Sequence, residues 1–463
     1  MGTINTKLII VTTSVSAFML NAMEVDLTVG SDLIYSDNIN LSKNKDDGFV
    51  NTLSFGASVN ETDLIFAYDL YRTLHYNHDK NNDFFQELNF DYNKNLHKKK
   101  INISTNAVIT NVSTSFNDFV GNDFISDKTV ETRTLNGDIS YRNNLGDFFT
   151  LKSNLSGTLV SNEDNIGNFH TVGAGINLAS KGSHLLWLTD YNYSRTFYNG
   201  VSTIASQHNL QQRLGYDLTE RFNLSAAFYY DAVEQSDAVG RTSQFSWGPL
   251  LHYKLKNQSY LELGYQFTAN DEDFWNGAFV LNPTKRTQFA FDFTRRFYGD
   301  AYNFSLSHKL DKFTNLIRYS EEITNFDREF FIDGAAVNSF QLEKGWTYES
   351  SIQLNRTSFS ITLRSLTREP LALDEVQEIE VLDSNINVDY RLTEKIVLNT
   401  NVDFRKNKTR YRAKSVGSDL YRRYGLSVAY TLSKHFETSV AYQYVNSTLY
   451  SENRGIFELR VKL

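Results

Sequence analysis

The feature that most constrains this chain is an alternation of apolar and polar residues that recurs from Val25 to the last residue. In one segment Leu261, Leu263, Tyr265 and Phe267 alternate with Glu262, Gly264 and Gln266. A helix would bring residues i and i+4 together and mix the two faces, whereas successive side chains of a strand point to opposite faces. The pattern predicts an all-β chain whose strands each have one apolar and one polar face.

The connections between the predicted strands alternate in length. Short polar turns occur at 60–63, 143–147, 180–183, 219–221, 256–258, 311–312, 393–394 and 433–434, and longer loops lie between them, among them 36–48, 113–128, 327–344 and 406–418. Short turns at one end and long loops at the other are typical of outer-membrane barrels, with the short turns in the periplasm. We therefore predict a transmembrane, antiparallel, up-and-down β-barrel of about 24 strands, within a range of about 18–26, and without a plug domain.

The N-terminal segment has the features of a secretory signal peptide. Lys7 precedes an apolar stretch over 8–20, and 20–22 offers a small residue at a cleavage site. A membrane-anchoring helix is the alternative, but the apolar run is short and rich in threonine. We expect residues 1–22 to be the signal peptide and residues 23–463 to form the barrel.

The C-terminal segment ends on an apolar residue of an alternating strand. Phe457, Leu459, Val461 and Leu463 share one face, with charged residues on the other. This arrangement resembles the terminal-strand signal read by the barrel-assembly machinery, although Leu463 stands where an aromatic residue is usual. We expect that machinery to be a partner of the terminal strand.

Composition excludes several classes of function. There is no cysteine, which excludes thiolate metal sites, cysteine nucleophiles and disulfides, and the net charge of −8 argues against nucleic acid as a partner. Aromatic residues make up 14% of the chain although hydrophobic residues reach only 41%, as expected for strands with one lipid face and one water face. The three prolines interrupt few strands.

Two soluble folds would also produce alternating strands. A β-solenoid should have a fixed sequence repeat, and none is found. A tandem β-sandwich has one apolar face per strand, so alternation alone does not exclude it. The signal-like N-terminus, the loop-length asymmetry and the terminal strand together favour the membrane barrel.

The polar faces of the predicted strands are candidates for a channel lining. The candidate lining residues are Asp292, Arg296, Arg318, Glu322, Asp383, Asn385, Asn387, Asp389, Arg391, Asn399, Asn401, Asp403, Arg405, Tyr421 and Arg423. Amide, carboxylate and guanidinium groups can hydrogen-bond to sugar hydroxyls, and tyrosine offers a flat face for stacking. Every water-filled barrel needs a polar lining, so these residues favour a hydrophilic permeant without identifying it.

The expected bore is wide enough to need closing. About 24 tilted strands give a backbone diameter of about 45–50 Å. Barrels of this size often contain a plug, but strand-like sequence begins within a few residues of the predicted signal peptide. Inward-folded loops, such as 113–128 and 327–344, or a docked partner are the remaining ways to close the bore.

Two charged groups have alternative interpretations. Arg295 and Arg296, with Asp292 and Asp300, are candidates for a charged constriction, in which the strand phase places Arg296 and Asp292 inward and Arg295 outward. Arg295 is equally suited to hold lipopolysaccharide phosphates at the membrane edge. The lysines at 98–100 lie on a predicted periplasmic turn, where a solvated charge run is more usual than a docking patch.

Enzymatic motifs are lacking. The sequence has no Gly-x-Ser-x-Gly, no His-Glu-x-x-His and no phosphate loop. His75 and His78 are the closest histidine pair in a loop and lack a convincing third ligand. We predict no catalytic residue, no bound metal and no cofactor.

Two stretches carry a resemblance to a known family. They are FDFTRRFYGDAY at 291–302, continued by LSHK at 306–309 and RYSE at 318–321 with Thr324, and YSDNINL at 35–41. Both resemble the PEP-CTERM-associated outer-membrane protein family, which belongs with the β-barrel porins of exopolysaccharide gene clusters. The sharp motifs are confined to these stretches, and 339–348 is a looser match.

The resemblance implies a non-enzymatic barrel of a Gram-negative outer membrane that takes part in exopolysaccharide secretion. It implies a periplasmic polysaccharide-export protein as a partner, besides the lipid and lipopolysaccharide around the barrel. It supplies no catalytic residues. A general diffusion porin for small polar solutes and an outer-membrane enzyme acting on lipid or polysaccharide are the alternatives.

Overall fold

The computed structural model describes residues 24–463 except 77–81, 115, 117–118, 120–127, 182–183, 200–203, 236–239, 270, 326–329, 332–339, 372–375 and 412–416. The predicted signal peptide and His78 lie outside the described residues. In the part of the chain that is described, no helix has the length and apolar character needed to span a bilayer.

The described residues form 24 strands joined by turns and loops. The strands are β1 Asp26–Ser36, β2 Gly48–Glu61, β3 Leu64–His75, β4 Phe84–Leu96, β5 Ile101–Ser113, β6 Thr129–Leu145, β7 Phe149–Asn162, β8 Phe169–Ser180, β9 Leu185–Tyr198, β10 Ile204–Asp217, β11 Phe222–Gln235, β12 Gly240–Lys254, β13 Tyr260–Thr268, β14 Phe274–Thr284, β15 Thr287–Arg296, β16 Gly299–Lys309, β17 Phe313–Thr324, β18 Gln341–Gln353, β19 Thr357–Pro370, β20 Val376–Arg391, β21 Ile396–Tyr411, β22 Gly417–Ser433, β23 Phe436–Ser447 and β24 Ser451–Lys462.

The strands close into one ring. Each pairs antiparallel with its neighbours along the chain, and β1 pairs with β24 from Thr28 opposite Lys462 to Ser36 opposite Arg454. Closure leaves no strand edge with unpaired backbone groups, which is the condition for a sheet to lie in lipid. The prediction of about 24 antiparallel strands in a closed barrel is confirmed. The absence of a plug domain stays a prediction.

The outer face of the ring is apolar. On β13, Leu261 is 50% exposed and Leu263 is 47% exposed, while the neighbouring Gly264 and Gln266 on the inner face are buried. Aromatic rings on the outer face pack across strands, as in the stacking of Phe279 on Phe289 with centroids 5.1 Å apart. Large apolar side chains directed away from a polar interior are what contact with lipid requires.

The two ends of the barrel differ. The start of β1, the end of β24 and the short connections, such as those after β6 and β22, lie at one end, which we call the turn end. The longest connections, after β1, β5 and β17, lie at the other, which we call the mouth. The β15–β16 connection is an exception, because only Phe297 and Tyr298 join these strands at the mouth.

Two predicted loops are shorter than expected because their strands continue. β18 begins at Gln341, not after 344, and β21 runs to Tyr411, not to 405. The extension of β21 is held by cross-strand ion pairs, with Lys408 Nζ 2.8 Å from Glu380 Oε1 and Arg410 Nη1 2.6 Å from Glu378 Oε2. Such a segment is polar on both faces, so apolar alternation could not show that it is a strand.

Candidate functional site

The inner wall of β20–β22 carries a continuous hydrogen-bonded network. Asp403 is its centre, since its carboxylate accepts from Asn385 Nδ2 at 2.5 Å, Asn401 Nδ2 at 3.1 Å and Arg423 Nε at 2.7 Å. Asn387 donates to Asn385 Oδ1 at 2.5 Å. The register places these residues opposite one another across three strands, so the network follows from the strand alternation.

The network extends toward both ends of the barrel. Toward the turn end, Asp389 accepts from Asn399 Nδ2 at 2.6 Å and from Ser358 Oγ at 2.7 Å. Toward the mouth, Asp383 lies 2.7 Å from Arg364 Nη2. Arg391 is exposed at the end of β20. The wall therefore offers rows of amide and carboxylate groups whose charges are largely compensated by arginines of the same wall.

The other predicted lining residues lie on β15 and β17. Arg318 and Glu322 share the inward face of β17, and both are exposed. Asp292 accepts a hydrogen bond from Asn303 Nδ2 at 3.0 Å across β15 and β16. Exposure of inward side chains indicates a lumen wide enough for water at these positions.

A recess in the inner wall lies beside the network. It has a volume of about 160 Å³ and is bordered by Asn399, Asn401, Ser427, Gln443 and Glu458. The side-chain amide of Asn401 occupies the space that a Cβ on the facing Gly425 would fill. The recess is an amide-rich surface suited to hydrogen bonding with hydroxyl groups.

At the mouth, arginines of the same wall stack on aromatic side chains of two loops. The guanidinium of Arg405 lies 4.2 Å from the ring centroid of Phe119, in the loop after β5. That of Arg368 lies 3.7 Å from the ring of Phe330, in the loop after β17, and 2.5 Å from Glu343 Oε2. Cation–π contacts of this kind contribute about 0.5–2 kcal/mol each, more when water is excluded.

The two loops meet inside the mouth. The N–H of Phe116 donates to the carbonyl of Phe331 at 2.7 Å, and Asn407 Nδ2 on β21 donates to the carbonyl of Phe116 at 2.8 Å. Phe116 is 0% exposed and Phe330 is 3% exposed. The loops leave the ring twelve strands apart, at opposite walls, so their contact spans the lumen. Both loops had been proposed from the sequence as ways to close the bore.

Two strands on different sides of the mouth lie closer together than a circular cross-section would allow. Thr196 Oγ1 and the hydroxyl of Tyr198, both on β9, donate to Asn325 Oδ1 at 3.3 Å, and Asn325 directly follows β17. In a round barrel of 24 strands, strands eight positions apart would be separated by about 40 Å. The two walls must therefore bend together at this end.

The contacts across the mouth define how it is flattened. β9 faces β17, Asp231 on β11 lies 3.6 Å from Arg296 on β15, and the end of β5 faces β21 through Phe116, three residues beyond the strand. Three residues span at most about 10 Å. All three pairs are symmetric about a plane through β1 and β13. The mouth is thus a flattened slit with its narrow edges at β1 and β13.

The stretch at 35–41, which carries the family resemblance, connects the β1–β2 loop to the seam of the barrel. The seam is the place where the first strand, β1, pairs with the last strand, β24. Ser36 Oγ donates to Glu452 Oε1 at 2.6 Å, and Asn38 Nδ2 donates to the carbonyl of Ser451 at 3.0 Å. Ile39 and Leu41, each 1% exposed, pack against side chains of the inner wall. The stretch thus joins the first strand to the last at the mouth.

Asp37 carries the charge of this seam. Burial acts to raise the pKa of its carboxyl, but three hydrogen bonds outweigh that effect and hold the pKa below its usual value. Lys45 Nζ donates at 2.7 Å, and Asn453 donates through its N–H at 2.7 Å and its Nδ2 at 2.8 Å. The ionised carboxylate is the form that the seam binds.

The second stretch, 291–302, forms the β15–β16 hairpin, whose tip enters the mouth. Phe297 packs against the buried cluster of Phe169, Tyr198, Ala205, Val233 and Phe340. Burial raises the pKa of the neighbouring Tyr298 hydroxyl to about 12. The hairpin is therefore part of the closure and not an open loop.

The charged constriction expected from the sequence was assigned the wrong ion-pair partners. Arg296 points inward and pairs with Asp231 at 3.6 Å, and Arg295 points outward and lies 3.4 Å from Asp271 and 3.7 Å from Glu272. Within the described residues, neither arginine forms an ion pair with Asp292 or Asp300. The partners lie on β11 and in the β13–β14 loop, and the strand phase of β15 alone contains no information about them.

Sequence reasoning overlooked the wall formed by β2–β9. Its inward side chains are mostly amides and hydroxyls, among them Asn89, Asn93, Asn102, Ser104, Asn106, Asn136, Asn154, Ser156, Thr158, Asn177 and Asn192. The alternation of asparagine with apolar residues was visible in the sequence and could have identified this wall.

The described residues contain no group of three or more His, Asp or Glu side chains arranged to hold a metal ion. The described inner surface includes one wall of amides and hydroxyls, one wall of ion-paired arginines, and a mouth in which two loops meet. What it can do chemically is bind polar groups by hydrogen bonds and ring stacking.

No family model and no curated protein matches the sequence. Among solved structures, the siderophore receptor PiuA from Acinetobacter baumannii is similar at 8% identity, with 96% of this chain and 82% of that chain covered and a TM-score of 0.43. The copper transporter OprC is similar at 10% identity over 95% of this chain and 83% of that one, with a TM-score of 0.39. A loop-deletion variant of OmpT, an outer membrane protein of Vibrio cholerae, is similar at 10% identity, with 96% and 100% covered and a TM-score of 0.33.

Proposed function

We propose that this chain is a β-barrel channel of a Gram-negative outer membrane that takes part in exopolysaccharide secretion without catalysing a reaction. The closed ring, its apolar exterior and its polar interior support a membrane channel. The resemblance at 35–41 and 291–302 supports polysaccharide as the permeant, and both stretches lie at the mouth, where passage is controlled.

The observation that carries the proposal is the chemistry of the lumen. One wall is lined by asparagine, serine and threonine, and the other by the Asp403 network, with its side-chain amides and paired charges. Each side-chain amide has two donors and an acceptor with two lone pairs, so rows of them can exchange hydrogen bonds with successive sugar hydroxyls. Such exchange suits a long polar polymer that must move without binding tightly at any one place.

The closed mouth favours a dedicated exporter over a general diffusion porin. A diffusion porin for small polar solutes conducts freely by itself, whereas here opposite walls and two loops meet at the mouth. Opening requires a partner or the polymer to displace Phe116 and Phe330 from the arginines on which they stack. We place a periplasmic polysaccharide-export protein at the turn end, where it would deliver the polymer.

We propose the remaining partners from the surface. The apolar exterior contacts lipid, and outward cations at the mouth, such as Arg133, Arg195 and Lys406, lie at the level of lipopolysaccharide phosphates. The final strand, which closes the ring against β1, is the element presented to the barrel-assembly machinery.

The test is deletion of the gene followed by measurement of secreted and cell-retained polysaccharide. We expect secretion to fall and polymer to accumulate inside the cell, and a plasmid copy of the wild-type gene to restore secretion. Normal secretion by the deletion strain would overturn the export function and leave the barrel assignment intact. A plasmid copy carrying Phe148→Ala, at an exposed position of the turn end, is the matched control and should restore secretion fully.

A further inference from the structure

The two walls of the lumen differ in how their charges are compensated. In the wall of β19–β24, arginines pair with carboxylates of the same wall: Arg423 Nε lies 2.7 Å from Asp403 Oδ2, and Arg454 Nη2 lies 2.9 Å from Glu452 Oε1. Because most guanidiniums of this wall are matched by carboxylates, the wall presents little net positive charge to a passing molecule.

The wall of β2–β9 has fewer inward cations to compensate its carboxylates. Its inward side chains are mainly neutral amides and hydroxyls, and its inward carboxylates are those of Asp69, Glu87, Asp91, Asp138 and Asp190. Among the described residues, none of these carboxylates forms an ion pair, and each is at least partly exposed. Asp190, for example, accepts only from the amides of Asn177 and Asn192, at 2.8 and 2.6 Å.

The cations of this second wall are confined to one position. Arg142 and Lys152 face each other at the turn end of β6 and β7, and no other arginine or lysine of β2–β9 points inward. An acidic polymer would find no row of cations along this wall to replace its counterions. In pores, rings of Arg or Lys are the usual devices for passing anions, and Asp or Glu favour cations.

We propose that the permeant is a glycan without acidic groups: its hydroxyls and amides exchange hydrogen bonds with the amide wall, and the lumen disfavours uronate, sulfate and phosphate. This inference rests on the proposed export function and names its substrate class. It follows from the contrast between the two walls, since the wall of β2–β9, with its amides and carboxylates, faces a wall whose arginines are mostly paired.

The test is binding of defined oligosaccharides to the purified wild-type barrel in detergent, by calorimetry at low salt. In the described residues, the contacts between opposite walls lie at the mouth, so the wild-type protein is tested for entry of a hexamer from the turn end. The probes are hexa-N-acetylglucosamine, which is neutral, and hexagalacturonate, which is acidic. We expect the neutral hexamer to bind at least about tenfold more tightly, equivalent to about 1.4 kcal/mol.

The variant Asp69→Asn/Glu87→Gln/Asp91→Asn should bring the two affinities together by strengthening hexagalacturonate binding, since the amides keep the shape and remove the charge. Glu61→Gln, at the β2–β3 turn, is the matched control and should leave the preference unchanged. Equal or tighter binding of hexagalacturonate by the wild type would overturn the inference, as would failure of both hexamers to bind. Because these results do not depend on secretion, they are separate from the gene-deletion result that decides the export function.

Discussion

The two ends of this barrel use apolar side chains in opposite ways. At the turn end, Leu185 and Leu354 are about half exposed, and Leu463 is 68% exposed. At the mouth, Phe116 and Ile39 lie in loops, yet they are 0% and 1% exposed. Loops normally carry few buried apolar groups because they run over the surface. Their burial here shows that the mouth has a hydrophobic core of its own, of a kind not seen among the described residues of the turn end.

The contrast between the two ends locates the barrier that the proposed export function requires. Ordering the long loops costs backbone entropy of about 1–2 kcal/mol per residue, so they stay inside only if their contacts offset that cost. Buried phenylalanines, stacked guanidiniums and the hydrogen bond between Phe116 and Phe331 provide such contacts. On the proposed function, the barrier is this packed structure at one end of an otherwise polar lumen.

The largest expected effect comes from emptying this core. In Phe116→Ala/Phe330→Ala, each site loses about 3–5 kcal/mol of packing, more than the cation–π contacts left at the mouth can supply. We expect single-channel conductance in planar bilayers to rise from a nearly closed level to that of an open pore, and cells to become sensitive to large antibiotics such as vancomycin.

The turn end provides the control for this variant. Phe148 is 68% exposed, so Phe148→Ala should leave conductance and antibiotic sensitivity at wild-type levels. Unchanged conductance in a folded Phe116→Ala/Phe330→Ala variant would mean that the two phenylalanines do not close the mouth.

The turn end and the mouth also differ in how far the sequence predicts them. Alternation fixes which side chains face the lumen, because the period of a strand is two, and the placement of Asp383, Asn385 and Asp403 on one face follows from that alone. Ring closure follows because apolar strand faces in lipid leave no other arrangement for the backbone. The turn end is predictable for the same local reasons.

The mouth depends on contacts that have no local signature. Thr196 meets Asn325, and Asp231 meets Arg296, only because the walls bend together, and the bend depends on the packing of the whole end. The sequence indicated that loops at 113–128 and 327–344 could fold inward, but not that they meet each other. The extension of β21 to Tyr411 was missed because ion pairs, not apolar alternation, hold it.

A smaller effect is expected at the seam, where the pH dependence of stability should distinguish the mouth from the turn end. Since the folded-state pKa of Asp37 is held below its unfolded value of about 3.9, its stabilisation is present above that pH and is lost as pH falls through the folded-state value. Asp37→Asn should lower stability at pH 7 by about 1 kcal/mol, and the difference from wild type should shrink as the pH falls below the unfolded value of about 3.9.

The measurement is the midpoint of heat-induced unfolding in detergent, read as a gel-mobility shift at several pH values. Asp311→Asn is the turn-end control, because this carboxylate is 87% exposed beside Arg286 and should contribute little at any pH. A pH-independent difference between Asp37→Asn and wild type would show that the charge of Asp37 does not hold the seam.

The last comparison uses one glycine from each end. Gly299, in the mouth hairpin, has a φ of 114°, and Gly146, in a turn-end hairpin, has a φ of 62°. No atom lies within 4 Å of a Cβ built at either position, so Ala substitution tests backbone strain alone. A φ near 60° is the left-handed region, which costs an L-residue about 1 kcal/mol, whereas a φ near 114° lies outside it and should cost about 2–3 kcal/mol.

Gly299→Ala should therefore lower the unfolding midpoint more than Gly146→Ala, and it should also raise conductance, because the strained hairpin carries Phe297 into the mouth. Equal midpoints with unchanged conductance would mean that the hairpin tip can relax without loosening the closure.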